Sequence, residues 1–152
     1  KTDFNIKYNI IKSFLHKHNN WDIFVGLISD LPENLKIYRV IKYRGMIFME
    51  IDKFVSTVFN IYNSTMYDKV LNWSYEDALN KNIPDVKSHI DRYLNDCELR
   101  VVISYPFEFN ILDVDSTLWD NNDALNWYKK AIRRTNDFFR RKLYNIKPII
   151  WD

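Results

Sequence analysis

Two clusters of side chains in this 152-residue sequence combine residue types and spacings that could do chemistry. The first lies in Phe109-Asn110-Ile111-Leu112-Asp113-Val114-Asp115-Ser116-Thr117, an apolar stretch that ends in two carboxylates two residues apart. Alternate residues of a strand project to the same side, so Asp113 and Asp115 would jointly hold a divalent cation. Mg²⁺ or Mn²⁺ held there would bind phosphate oxygens and assist phosphoryl or nucleotidyl transfer. The second cluster is basic. Between Lys129 and Lys142 stand seven bases (Lys129, Lys130, Arg133, Arg134, Arg140, Arg141 and Lys142) against one acid, Asp137. That segment carries +6 and the remainder of the chain −4, which together make the overall +2. On a helix, Lys130, Arg133, Arg134 and Arg141 share one side, opposite Tyr128, Ile132 and Phe139. Such an array attracts polyanions by counterion release, and guanidinium groups match phosphate or carboxylate geometry. A solvated amphipathic helix whose bases pair with the domain's own acids would look the same in sequence. Trp127, Phe138 and Tyr144 interleave with the bases, but most of these aromatics are expected on the core side of that helix.

The aspartate string resembles the nucleophile loop of haloacid-dehalogenase-type phosphatases, an apolar strand followed by Asp-x-Asp-x-Thr. The resemblance implies Asp113 as nucleophile and Asp115 as general acid. That loop normally opens its domain, whereas only 37 residues follow Asp115 here. The string also resembles the metal-binding strand of archaeo-eukaryotic-type primases, which further use a downstream histidine and a third acid. No histidine follows His89. Each resemblance covers about nine residues of the chain. A purely structural reading makes Asp115, Ser116 and Asn121-Asn122 turn and cap residues ahead of a helix.

Other titratable groups give weaker patterns. His16 and His18 end a helix at spacing i, i+2, which turns them apart and makes them poor chelators. Asp30, Glu50, Asp52 and Lys53 resemble a restriction-type nuclease layout of an acid followed by acid-x-Lys. Lys53 directly follows Asp52, however, and would face away from it on a regular strand. Cys97 has no second cysteine, so no internal disulfide forms, and an intracellular setting is expected. The two glycines, Gly26 and Gly45, are isolated, which excludes the glycine-rich phosphate loops.

These residues must be positioned by a chain that is 47% hydrophobic and 16% aromatic, enough to bury a core and far from a disordered composition. The first twenty residues mix charges with asparagines, unlike a secretory signal. No run of about 18 apolar residues occurs, so no membrane span is expected. The chain opens on Lys1 and not on methionine, as a processed chain or a piece of a longer one would.

Residues 3 to 18 read as a helix capped by Asp3, with Phe4, Tyr8, Ile11 and Leu15 on one face. Trp21 to Ser29 reads as a strand. Lys36 to Tyr43 and Met46 to Ile51 read as a hairpin turning at Arg44-Gly45, where glycine accepts a positive φ. Lys53 to Tyr62 and Thr65 to Trp73 have helical spacing, and further helix starts are expected at Ser74 and Pro84. Leu99 to Ser104 and Phe107 to Val114 read as a second strand pair broken at Tyr105-Pro106. A long helix from about Asn122 to Tyr144 and a short strand within Lys147 to Trp151 close the chain. The expectation is a single α+β domain over residues 1–152, with a mostly antiparallel sheet built from two strand pairs.

The function expected is that of a non-catalytic cytoplasmic binding domain without a cofactor. Its basic helix would dock nucleic acid or an acidic protein partner, and a small inhibitor or immunity-type protein fits the same description. The alternative is an enzyme dependent on Mg²⁺ or Mn²⁺ that acts on nucleic acid or nucleotides through Asp113 and Asp115.

Overall fold

In the computed structural model, residues 2–56, 58–74, 89–95, 97–107 and 122–151 are described, with backbone alone for residues 2 and 122–125. Helix α1 spans Thr2–His18. Asp3 in its first turn and Lys17 in its last complement the helix dipole. The helix stops at Asn19, whose left-handed backbone (φ 50°) lets its N–H donate to the Leu15 carbonyl.

Six strands follow: β1 (Ile23–Val25), β2 (Ile37–Tyr43), β3 (Met46–Ile51), β4 (Asn60–Tyr62), β5 (Val101–Tyr105) and β6 (Ile149–Trp151). They form one sheet in the order β4-β1-β5-β3-β2-β6. The β2–β3 hairpin has the expected register, with Tyr43 opposite Met46 across the turn. Arg44 and Gly45 both take positive φ (47° and 84°), as a two-residue turn of this kind requires. A Cβ at Gly45 would meet no atom within 4 Å, so its φ, and not space, is what calls for glycine there.

The α+β expectation holds, but the sheet is mixed and not mostly antiparallel. Pairings β1–β4, β2–β3 and β3–β5 are antiparallel, whereas β1–β5 and β2–β6 are parallel. β5 pairs with β1 over Val101–Ile103 on one edge and with β3 over Val101–Tyr105 on the other, partners the sequence reading did not give it. Residues 108–114 themselves lie outside the described residues.

The helix expected over Lys53 to Tyr62 is also corrected, because its end forms β4 on the edge of β1. Phe59 and Ile61 pack on one face of the sheet and Tyr62 on the other, a strand alternation inside an apparently helical spacing. A 3₁₀ turn (Ser64–Met66) and the short helix α2 (Tyr67–Leu71) occupy the Thr65 to Trp73 segment. Helix α3 covers Ile90–Asn95, and α4 covers Asn122–Tyr144, at the bounds read from the sequence. The helix starts expected at Ser74 and Pro84 run into 75–88, outside the described residues.

Apolar layers lie on both faces of the sheet. On one, Ile11, Phe14 and Leu15 of α1 cover Phe24, Ile41, Phe48 and Val102, and the Phe14 and Phe48 rings stack at 3.8 Å. On the other, Phe139 of α4 and Leu94 of α3 cover Ile23, Val25, Met49, Val101 and Ile103. Each large side chain so buried contributes roughly 1.5–3 kcal/mol. Asn95 ties α3 to the segment after β3: its amide group donates to the Phe54 carbonyl, and its Oδ1 accepts the Phe54 N–H at 2.8 Å. A helix thus sits on each side of a rigid sheet, and α4 is held with one side in the core.

Candidate functional site

The long helix α4 sets its own exposure by its packing. Ala131, Thr135 and Phe139 are fully buried, each four residues after the last, and so lie along one inward line. Tyr128, Ile132, Asn136 and Leu143 flank that line half-buried. The Tyr105 hydroxyl donates to the Asn136 carbonyl at 3.1 Å, and the Phe107 and Phe139 rings meet edge to face at 5.7 Å. Burial raises the Tyr128 pKa, and the nearby Asp91 and Asp30 add to the effect.

The opposite side of α4 carries the bases. All seven candidate partner-binding residues are exposed: Lys129, Lys130, Arg133, Arg134, Arg140, Arg141 and Lys142. Arg134 pairs with Asp30 at 3.0 Å, and Arg140 with Asp137 at 3.0 Å. Arg141 donates through Nε to the Asp137 carbonyl at 3.2 Å, which leaves its charge without a carboxylate. Among the described residues, Lys130 and Arg133 make no ion pair. Lys142 departs from the group, because its ammonium lies over the Phe138 ring, 5.6 Å from the centroid, on the flank of the helix. Among the described residues, acids therefore neutralise part of the face and leave a cationic stripe through Lys130, Arg133 and Arg141.

The aromatics differ from expectation. Phe138 is half-buried, but Trp127 is 49% exposed and Tyr144 89% exposed. Trp127 precedes Lys130 by three residues, and Tyr144 follows Arg140 and Arg141 by four and three, spacings that make neighbours on a helix surface. The apolar inward line already had Phe139 and its neighbours to fill it, and the helix ends project beyond it.

A second polar group was not legible in the sequence. On the α1 face, Asp22 ahead of β1, Arg100 ahead of β5, Glu50 of β3 and Arg39 of β2 form a row of alternating charge at one end of the sheet. The Asp22 carboxylate accepts from Arg100 Nε at 2.8 Å, Arg100 Nη2 at 2.6 Å, the Arg100 backbone N–H at 2.9 Å and Thr65 Oγ1 at 2.9 Å. Arg100 also donates to the Asn20 side chain. These bonds hold the Asp22 carboxyl far below the usual carboxylate range and raise the Arg100 pKa further. Glu50 sits 3.2 Å from Arg39 and 3.5 Å from His18 Nε2. Burial at the end of α1 lowers the His18 pKa; Glu50 opposes that effect, and Arg39 and Arg100 add to it. Each carboxylate is matched by a guanidinium: Asp22 with Arg100 joins the starts of β1 and β5, and Glu50 with Arg39 joins the two strands of the hairpin. The only sequence signal was a charge placed immediately before a buried apolar strand, at Asp22 and again at Arg100.

Among the described residues, the remaining candidates do not converge. Asp113 and Asp115 lie outside the described residues. His16 is exposed and His18 buried, turned apart as their spacing requires. Asp30 pairs with Arg134, Asp52 accepts the Lys36 N–H at 2.8 Å, and Lys53 reaches the Glu33 carbonyl at 3.4 Å. With Glu50 occupied on the α1 face, the nuclease-like layout is not assembled. Cys97 donates to the Tyr93 carbonyl at 3.6 Å. Among the described residues no group of three or more His, Cys, Asp or Glu side chains could hold a metal ion. No helix among them is long and apolar enough to cross a membrane. Compared with protein-family models, with curated proteins and with solved structures, the chain matches none.

Proposed function

We propose that this chain is a non-catalytic, cytoplasmic binding domain that docks a polyanionic surface, of nucleic acid or of an acidic protein, on the solvent face of α4. One observation carries the reading: Lys130 and Arg133 stand exposed without an ion pair among the described residues, on a helix whose other side is fixed in the core. A helix held in this way presents its charges on a backbone that is already ordered, which favours association and steers an oppositely charged partner. The single cysteine supports the cytoplasmic setting.

Reversing Arg133, Arg134, Arg140 and Arg141 to glutamate tests the reading. All four are exposed, so the far-ultraviolet circular dichroism of the variant should match that of the original chain. Capture of heparin or an oligonucleotide should be lost. Undiminished capture by the folded variant would overturn the reading.

A further inference from the structure

Resting on that reading, we infer that the polyanion is single-stranded nucleic acid, with its phosphates along Lys130, Arg133 and Arg141 and unpaired bases stacked on Tyr144 and Trp127. Charge alone would suit an acidic protein equally well. The two exposed aromatics favour nucleic acid, because a base offers a ring a π-face to stack on, whereas an acidic peptide offers mainly carboxylates and their short stems. Tyr144 is 89% exposed and Trp127 is 49% exposed, and each has a base three or four residues away on the helix surface. Arginine or lysine beside an exposed ring is the combination that binds a strand without reading its sequence: cation for phosphate, ring for base. The two rings are separated by 17 residues of helix, about 25 Å, with the cationic stripe between them.

The exposed rings also argue for a single strand over a duplex. Ala131, Thr135 and Phe139 are fully buried, so the middle of α4 lies embedded against the sheet along one side. Duplex bases, already paired and stacked, would leave Tyr144 and Trp127 unused. The solvent side of α4 is the face left for the strand's backbone.

The test uses fluorescence anisotropy with four probes of matched length: oligo(dT), oligo(U), a DNA duplex and a polyglutamate peptide. Both single strands should bind more tightly than the duplex or the peptide. Tyr144→Ala should weaken single-strand binding by roughly 5- to 150-fold, the range of one lost base stack. Tyr144→Phe should restore it, and neither change should alter polyglutamate binding. Tyr144 is so exposed that its replacement leaves the fold intact, which circular dichroism verifies. If polyglutamate or duplex binds as tightly as single strands, or if neither Tyr144→Ala nor Trp127→Ala weakens oligonucleotide binding, the inference fails and the polyanion reading stands. If no probe binds, both fall.

Discussion

Replacing Asp22 with asparagine removes the charge that ties the start of β1 to Arg100 ahead of β5, while keeping nearly the same side-chain volume. Asp22 is 8% exposed at its side chain and accepts three N–H bonds from Arg100 and one O–H bond from Thr65. An asparagine keeps one acceptor oxygen and turns an NH₂ group toward donors that already face it. Removing one member of a fully buried ion pair costs about 3–5 kcal/mol. Here the Arg100 side chain is 49% exposed, so water resolvates the freed guanidinium and the cost falls to about 2–3 kcal/mol. In a domain of this size that lowers Tm by roughly 5–10 °C. The assay is urea unfolding from pH 7 down to pH 2. Because folding depresses the Asp22 pKa, the stability it provides is complete above the unfolded value of 3.8 and is lost as pH falls toward the folded value. The gap between the original chain and Asp22→Asn should therefore narrow below about pH 4. A loss under about 0.5 kcal/mol at pH 7, or a gap that stays constant through acid, would refute the reasoning.

Three further outcomes follow from the same packing. His18 has a depressed pKa, so its contribution is present above the ordinary value of 6.5 and is lost as pH falls through the folded value. His18→Phe, set among Phe14 and Trp151, should flatten the fall in Tm between about pH 7 and pH 5, as scanning calorimetry would show. Gly45→Ala forces a methyl group onto a φ of 84° and should cost about 1 kcal/mol in chemical denaturation, with the open space around it adding no clash. Phe139→Ala empties a fully buried site between Tyr105 and Phe107 and should cost about 3–5 kcal/mol by the same measurement.

What the sequence revealed follows the range of the interactions involved. The hairpin at Arg44-Gly45 and the bounds of α4 were legible because a turn residue and an i, i+3, i+4 stripe are local signals. The parallel pairings of β1 with β5 and of β2 with β6 were not, because they join segments far apart in the chain whose registers depend on the layers over the sheet. β4 was read as helix for a related reason: a three-residue strand is too short to express an alternation against a longer apolar spacing. The basic side of α4 was readable from charge positions alone. Its pairing with Asp30 and the exposure of Trp127 and Tyr144 depended on which parts of the helix the core covers. The Asp22–Arg100 pair spans 78 positions and left only a charged residue before each strand as its trace.

The most direct measurement of the central claim is the salt dependence of oligonucleotide binding. Lys130, Arg133 and Arg141 are the bases of the face without a side-chain carboxylate among the described residues. Three phosphates neutralised on a single strand give a slope of log K against log salt of about −2. Reversal of Arg133, Arg134, Arg140 and Arg141 to glutamate should abolish binding across the whole salt range. A slope near zero in the original chain, or an unchanged slope in the reversed one, would contradict a phosphate-binding role for this helix.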